Sequence, residues 1–246
     1  IRLIVRMRSI FLHVGLEKTG STAFQEALLD SAVTNSKVVL NYGSKTNKNL
    51  TQALLEFFGS GSLWSSKSAV DISELVSLLT ADLERFSDSD IVLSSEHFSG
   101  RFSRIDIKLL INILSKFHKV IIMLVDRDDS EWMRSKYNQA VKAGYFKSIS
   151  EYSAGTNTDW FSRNDKARII DDWCSAGVEV KKFQYSASVV SQMLAFLGLE
   201  VEIIHRSNIS LSPRAINILR KFNLLLRPGK ATKIRRLMIK MLTFFS

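Results

Sequence analysis

Between residues 15 and 22 the chain places one lysine, two glycines and three hydroxyl residues close together, in the order GLEKTGST. Glycines bring backbone N–H groups close to a ligand. A helix that begins after such a loop directs its unpaired N–H groups and positive dipole end to the same point. Lys18 adds a full positive charge. These residue types at this spacing predict a binding site for a phosphate-type anion.

The residues on either side of this loop have the pattern of a strand followed by a helix. A short apolar run that favours a β-strand precedes the loop and contains Ile10, Phe11, Leu12 and Val14. Apolar residues recur at helical spacing after it, at Ala23, Phe24, Ala27 and Leu28. We therefore expect a strand, loop and helix in which the anion is bound by Gly15, Lys18, Thr19, Gly20, Ser21 and Thr22.

The loop differs from a Walker A loop, although it contains the G-x-x-x-x-G spacing. Ser21 and Thr22 follow the second glycine, where a Walker A loop has a lysine and then a hydroxyl residue. The order Lys-Thr-Gly-Ser-Thr instead resembles the 5′-phosphosulfate loop of sulfotransferases that use 3′-phosphoadenosine 5′-phosphosulfate (PAPS). The resemblance implies PAPS as the donor, PAP as its product and Lys18 as a catalytic residue. An ordinary turn with an exposed lysine is the structural alternative.

A second motif follows the apolar run from Val120 to Val125, which predicts a buried strand. Arg127 comes directly after this strand, and Ser135 lies within a helix predicted from about Ser130. An arginine can bind a phosphate with two parallel hydrogen bonds, and a serine hydroxyl can donate to the same group. The pair resembles the 3′-phosphate motif of PAPS sulfotransferases. Acidic neighbours at positions 126, 128 and 129 are expected to cap the helix and face water.

A third candidate is the segment DIVLSSEHF, from Asp90 to Phe98, which predicts a buried strand with a polar end. Ligands gather at the carboxyl ends of strands in open parallel sheets. Glu96 and His97 lie there, and the family resemblance implies that one of them is the catalytic base. In a regular strand they would project from opposite faces, so only one would face the acceptor, and we favour Glu96. A structural ion pair and a strand-end cap are the alternatives.

Length and composition favour one globular domain over the whole chain, residues 1–246. Hydrophobic residues make up 46% of the sequence, which is enough for a substantial core, and no repeat or low-complexity tract divides it. The predicted fold class is α/β: a P-loop-like three-layer α/β/α arrangement with a central, mainly parallel sheet and additional helices. The single cysteine, Cys174, excludes an internal disulfide and favours a reducing, cytoplasmic location.

The formal charge of +10 and pI of about 9.7 favour an acidic partner, such as a nucleotide, an acidic glycan, nucleic acid or a membrane surface. No nucleic-acid-binding motif is recognisable, so we do not expect nucleic acid as a partner. A basic helix is predicted at about residues 230–245, and its apolar residues, which we expect on one side, are Ile234, Leu237, Met238, Met241 and Leu242. This helix either packs on the domain or contacts an anionic membrane.

The resemblance as a whole implies a PAPS-dependent sulfotransferase that acts on a hydroxyl or amino group, with a carbohydrate as the expected acceptor. In this mechanism Lys18 and the loop amides stabilise the leaving phosphate, while Glu96 or His97 removes the acceptor proton. No metal is required. Two alternatives stay open: a P-loop nucleotide-dependent kinase, and a non-enzymatic module that binds polyanions or membranes.

Overall fold

A computed structural model of the chain describes residues 8–16, 18–32, 38–41, 76–77, 80–81, 90–96, 98–99, 102–154, 165–199, 211–226 and 232–244. The chain forms two compact units. The first comprises Ile1–Asp126 and Arg163–Ile203, and the second comprises Arg127–Ser162 and Ile204–Ser246. His97, the second candidate base, lies outside the described residues.

The first unit contains a parallel sheet with five strands in the described part of the chain. The strands are β1 (Ser9–Val14), β2 (Val38–Asn41), β3 (Asp90–Ser95), β4 (Lys119–Asp126) and β5 (Glu179–Gln184). They lie side by side in the order β2-β3-β1-β4-β5. Strands β1, β3 and β4 are almost completely buried and have apolar centres, as expected for parallel strands that are covered on both faces.

The longer helices of the described chain are α1 (Ser21–Ala32), α2 (Arg104–Leu114), α3 (Asp129–Ala143), α4 (Ile149–Ala154), α5 (Lys166–Cys174), α6 (Val189–Phe196), α7 (Pro213–Leu225) and α8 (Thr232–Phe244). Helices α1 and α6 cover one face of the sheet, where Phe24 and Met193 pack with Phe11 of β1. Helices α2 and α5 cover the other face, where Ile107 and Trp173 pack with Leu12. The predicted P-loop-like three-layer α/β fold is confirmed.

Strand order places a topological switch point between β1 and β4. The chain leaves β1 through α1 on one face and reaches β2 at one edge of the sheet. It leaves β4 and reaches β5 at the other edge after α5, which lies on the opposite face. Ligands of open parallel sheets bind outside the carboxyl ends of the strands at such a point. The loop predicted to bind an anion follows β1 at this position.

The second unit is helical in its described residues and consists of α3, α4, α7 and α8. Its core includes Tyr137 and Val141 of α3, Tyr152 of α4 and Leu219 of α7. Helix α7 begins as predicted from the sequence, because the Ser212 hydroxyl accepts a hydrogen bond from the Ala215 N–H at 3.3 Å and proline occupies the first turn. No helix in the described ranges is both long and apolar enough to cross a bilayer.

Candidate functional site

The loop after β1 makes a tight turn and leads directly into α1. Lys18 and Gly20 both have positive φ angles, 67° and 88°, and the N–H of Phe24 donates to the Gly20 carbonyl at 3.0 Å in the first helical turn. Among the described residues, Lys18 is the single non-glycine residue in this conformation. Residues with side chains rarely adopt positive φ, because the conformation is strained and the surrounding structure must enforce it. Such strained residues cluster at active sites and ligand sites.

Thr19 stabilises the loop from within. Its side chain is fully buried, and its hydroxyl donates to the Leu16 carbonyl at 2.6 Å. The hydroxyl hydrogen is therefore used inside the loop. A contact between Thr19 and an anion stays a prediction.

Ser21 is the first residue of α1, and its hydroxyl is buried without a hydrogen-bond partner in the described part of the chain. The hydroxyl lies so close to Gly15 that a Cβ atom at Gly15 would be only 2.2 Å from Ser21 Oγ. Any residue with a side chain at position 15 would therefore clash with the Ser21 hydroxyl. Buried polar groups without partners are rare in proteins, and each one needs an explanation. Thr22, in contrast, is exposed.

His13 is a buried polar residue directly beneath the loop. Its Nδ1 lies 2.7 Å from Ser94 Oγ of β3, and the Gln25 side chain of α1 donates to the same hydroxyl oxygen at 3.1 Å. Burial lowers the pKa of the His13 imidazole to about 3, so the ring is neutral at physiological pH. The three residues therefore connect β1, β3 and α1 without a charge.

Each nitrogen of the His13 ring has different surroundings. Ser94 Oγ accepts from Gln25 and has a second lone pair, so it can either donate its hydrogen to His13 Nδ1 or accept one from it. Nε2 is buried and has no partner among the described residues. The adjacent Cε1 atom lies 3.3 Å from the Cβ position of Gly15. A neutral imidazole with one unpaired ring nitrogen is thus held beside the start of the loop.

Neither His13 nor its partners was predicted from the sequence as a site residue. The apolar run IFLHV predicts a strand, and His13 interrupts its apolar character on the face that Phe11 shares. A polar residue inside an otherwise apolar buried run was the signal that could have identified it.

Glu96 lies outside β3, which corrects the predicted strand from Asp90 to Phe98. The strand ends at Ser95, and Glu96 begins a turn in which the Ser99 hydroxyl donates to the Glu96 carbonyl at 2.8 Å. The opposite-face argument for Glu96 and His97 therefore does not apply. The register pairs Val14 of β1 with Ser95 of β3, so Glu96 leaves its strand level with Gly15. Its side chain is exposed.

The carboxyl end of β4 is neutralised within the first unit. Asp126 Oδ1 accepts a hydrogen bond from Lys166 Nζ at 2.8 Å, and the Asp126 carbonyl accepts from the Tyr185 N–H at 2.6 Å. Asp126 was expected to cap the next helix, but it forms this ion pair instead. Its charge is therefore compensated locally.

In the second unit, Asp128 fulfils the capping role predicted from the sequence. Asp128 is exposed and accepts hydrogen bonds from the N–H groups of Ser130 at 2.9 Å and Glu131 at 3.1 Å, at the start of α3. Arg127 Nε lies 3.4 Å from Glu131 Oε2. Ser135 is half-buried on α3. That Arg127 and Ser135 bind one phosphate stays a prediction, and Glu131 is a carboxylate that would compete for the arginine.

Comparison with known proteins identifies no family. No protein-family model matches the chain, and no curated protein matches it. Among solved structures, the crystal structure of a fungal RNA kinase aligns with 90% of this chain and 98% of its own chain, at 12% identity and a TM-score of 0.37. At that identity and TM-score the likeness supports no conclusion about activity or substrate.

Proposed function

We propose that the protein binds the 5′-phosphosulfate of PAPS at the loop from Gly15 to Thr22 and transfers its sulfuryl group to an acceptor. The observation that carries this proposal is the buried hydroxyl of Ser21, which has no hydrogen-bond partner in the described chain and lies at the start of α1. An unsatisfied buried donor costs about 1–3 kcal/mol, and an anion oxygen at the helix start would remove that cost. The loop therefore has the chemistry of an anion site.

The residues of the loop have distinct roles in this proposal. Gly15 leaves space for the Ser21 hydroxyl, and Thr19 fixes the turn through its bond to the Leu16 carbonyl. Lys18 supplies the positive charge. PAPS supplies an activated sulfuryl group, and negative charge grows on the 5′-phosphate as the bond to sulfur breaks. Lys18 and the N–H groups at the start of α1 stabilise that growing charge.

Glu96 is proposed as the base that removes the acceptor proton. It follows β3, the neighbour of β1, and leaves that strand level with Gly15, the first residue of the loop. A bond forms between the acceptor oxygen or nitrogen and sulfur, the bond from sulfur to the phosphate oxygen breaks, and the acceptor proton goes to the carboxylate. Arg127 and Ser135 are proposed to bind the 3′-phosphate. A carbohydrate acceptor is proposed from the family resemblance alone.

Phosphoryl transfer from a nucleoside triphosphate is the second candidate. Thr22 is exposed and occupies the position at which a Walker A loop has its Mg²⁺-binding hydroxyl. The preceding position, which holds the lysine in that loop, is the buried Ser21. A kinase would therefore need Lys18 to replace the missing lysine. We consider sulfuryl transfer the better proposal for this reason.

Calorimetric titration with PAP, and with ATP in the presence and absence of Mg²⁺, separates the two candidates. We expect PAP to bind without Mg²⁺, and Ser21→Ala to weaken PAP binding at least fivefold, the effect of losing about 1 kcal/mol. The same variant should not lower the free energy of unfolding of the ligand-free protein, because it removes an unpaired buried hydroxyl. Ser191→Ala, at an exposed serine of α6, is the matched control. Magnesium-dependent ATP binding without PAP binding would favour the kinase.

A further inference from the structure

The apolar side of helix α8 divides into a face that packs inward and a neighbouring face that is exposed. The inward face packs on the core of the second unit through Met238, Ile239 and Leu242. Arg235 lies on the same side: its side chain is buried, Nε donates to Asn223 Oδ1 at 3.0 Å, and a terminal guanidinium nitrogen donates to the Ala143 carbonyl at 3.3 Å. The predicted packing of this helix on the protein is therefore found, within its own unit.

The outward apolar face is about half exposed to solvent. Ile234, Leu237 and Met241 expose 52%, 60% and 51% of their surface. They lie three and four positions apart, so they form one continuous stripe along the helix, which we call the α8 stripe. The inward packing therefore leaves about half of the surface of each residue in contact with solvent.

Exposed basic residues lie beside the α8 stripe. Lys233, Arg236 and Lys240 are all exposed, and at about 100° per residue they occupy the arc next to the stripe and away from the buried face. The helix sequence TKIRRLMIKMLTF contains no acidic residue. An apolar stripe bordered by positive charge is the pattern of a helix that lies in the interface of a membrane.

We propose that the α8 stripe binds the surface of a membrane that contains anionic lipids. The three apolar side chains would enter the boundary between headgroups and acyl chains, while the three basic side chains contact lipid phosphates. A second copy of the chain fits this face less well, because pairing two stripes would bring two sets of positive charges together. Nucleic acid would use the charges but has no complement for three aliphatic side chains.

Vesicle sedimentation with the full chain tests the proposal. We expect the protein to bind vesicles of phosphatidylcholine with 30% phosphatidylserine, and not vesicles of phosphatidylcholine alone, with binding that falls as salt rises. Replacing Lys233, Arg236 and Lys240 with Gln should lower the partition coefficient about 100-fold, at about fivefold per charge. The control replaces three exposed lysines elsewhere, Lys108, Lys116 and Lys147, with Gln and should change it much less.

The apolar side chains provide the decisive arm of the experiment. The triple variant Ile234→Ser, Leu237→Ser, Met241→Ser should lower vesicle binding at least tenfold, while binding to heparin stays within twofold of wild type. Ile105→Ser, at a 78% exposed isoleucine of α2, is the control and should bind vesicles normally. Thermal unfolding verifies that each variant is folded.

Three outcomes would overturn the proposal. If the wild-type protein does not bind the anionic vesicles, the α8 stripe is not a membrane-binding surface. If the folded apolar triple variant still bound vesicles, the basic residues alone would account for the binding, and they would bind other polyanions in the same way. Self-association of the wild type that the apolar variant abolishes, without vesicle binding, would assign the stripe to a second copy of the chain.

Discussion

The Nδ1 atom of His13 lies 2.7 Å from the hydroxyl of Ser94, its direct register partner on the neighbouring parallel strand. One residue pair later, at Val14 and Ser95, both strands end. The bond therefore joins the strand that leads into the anion loop to the strand that leads to Glu96. We regard His13 as a positioning residue for both segments.

The first prediction concerns stability at acidic pH. Burial lowers the pKa of His13 to about 3, against 6.5 for the unfolded chain, so the unfolded state binds more protons between these two values. The free energy of unfolding should therefore fall as pH decreases from 6.5 toward 3. Protonation of His13 should account for about 2 kcal/mol of this fall between pH 6.5 and 4.5, and His13→Gln, which cannot be protonated, should lack that part. Urea unfolding at several pH values measures the free energy of unfolding of both proteins.

His118→Gln is the control for this prediction. Burial also lowers the pKa of His118, but this residue is only half-buried, so its removal should change the pH dependence less. An unchanged pH dependence in His13→Gln would contradict the buried, neutral state of His13.

The second prediction tests the close contact between Gly15 and Ser21. Gly15→Ala places a methyl group 2.2 Å from Ser21 Oγ and should lower the free energy of unfolding by about 1–3 kcal/mol, the usual cost of overpacking. In a Ser21→Ala background the cost should be much smaller. Denaturant unfolding of the double-mutant cycle measures this coupling.

Gly177→Ala is the control, because in the described part of the chain no atom lies within 4 Å of its Cβ position, and its φ of 81° makes the change costly, by about 1–2 kcal/mol. That cost should be the same in the wild-type protein and in the Ser21→Ala background, since the two sites are independent. Equal costs of Gly15→Ala in both backgrounds would show that Gly15 and Ser21 do not touch.

The third prediction separates charge from conformation at Lys18. Lys18→Gly suits the positive φ of 67°, and turnover should fall about 10²–10³-fold with a much smaller loss in PAP affinity. The lysine acts on charge that grows in the transition state, so rate suffers more than binding. Steady-state kinetics and calorimetry with PAP measure the two effects. Equal, small effects on turnover and on PAP affinity would show that Lys18 is a surface residue without a role in catalysis.

The fourth prediction concerns the base. Glu96→Gln keeps the shape of the side chain and removes its basicity, so turnover should fall about 10²–10⁴-fold while PAP binding stays intact. His97→Asn should have a smaller effect. A Glu96→Gln variant that remains near wild type, beside an inactive His97→Asn variant, would reverse the assignment. Activity in both variants would place the base elsewhere in the chain.

The fifth prediction uses the ion pair at the start of α3. Arg127→Ala should weaken PAP binding more than Ser135→Ala, because a charge-assisted contact is the stronger one. Glu131→Gln should strengthen it, since the carboxylate 3.4 Å from Arg127 Nε competes with the phosphate. Adenosine 5′-phosphosulfate, which lacks the 3′-phosphate, is the comparison ligand in calorimetry. If Arg127→Ala weakened the binding of PAP and of adenosine 5′-phosphosulfate equally, Arg127 would not bind the 3′-phosphate.

The strands and the loop that form the centre of the first unit could be predicted because their signals are local. Apolar runs mark β1 and β4, and glycines with hydroxyl residues mark the turn between β1 and α1. The cap of α7 at Ser212 is equally local. Such features depend on neighbours within a few residues, so the sequence contains them directly.

The remaining features depend on contacts between distant parts of the chain. His13 and Ser94 are 81 positions apart, and only the parallel register makes them partners. The end of β3 at Ser95 follows from a turn that no apolar pattern marks. The burial of Arg235, a basic residue, follows from Asn223 and the end of α3, which accept its hydrogen bonds.

The central position of β1 also determines when the protein can fold during synthesis. This strand pairs with β3 and β4, which both come much later in the chain, so Ile10–Val14 emerges from the ribosome long before either partner exists. Parallel pairings of this kind fold slowly because their contacts are non-local. Until Asp126 has been made, the apolar strand is exposed and open to aggregation or to capture by chaperones. The loop between β1 and α1 can therefore reach its final position beside β3 and β4 only after both strands have been made.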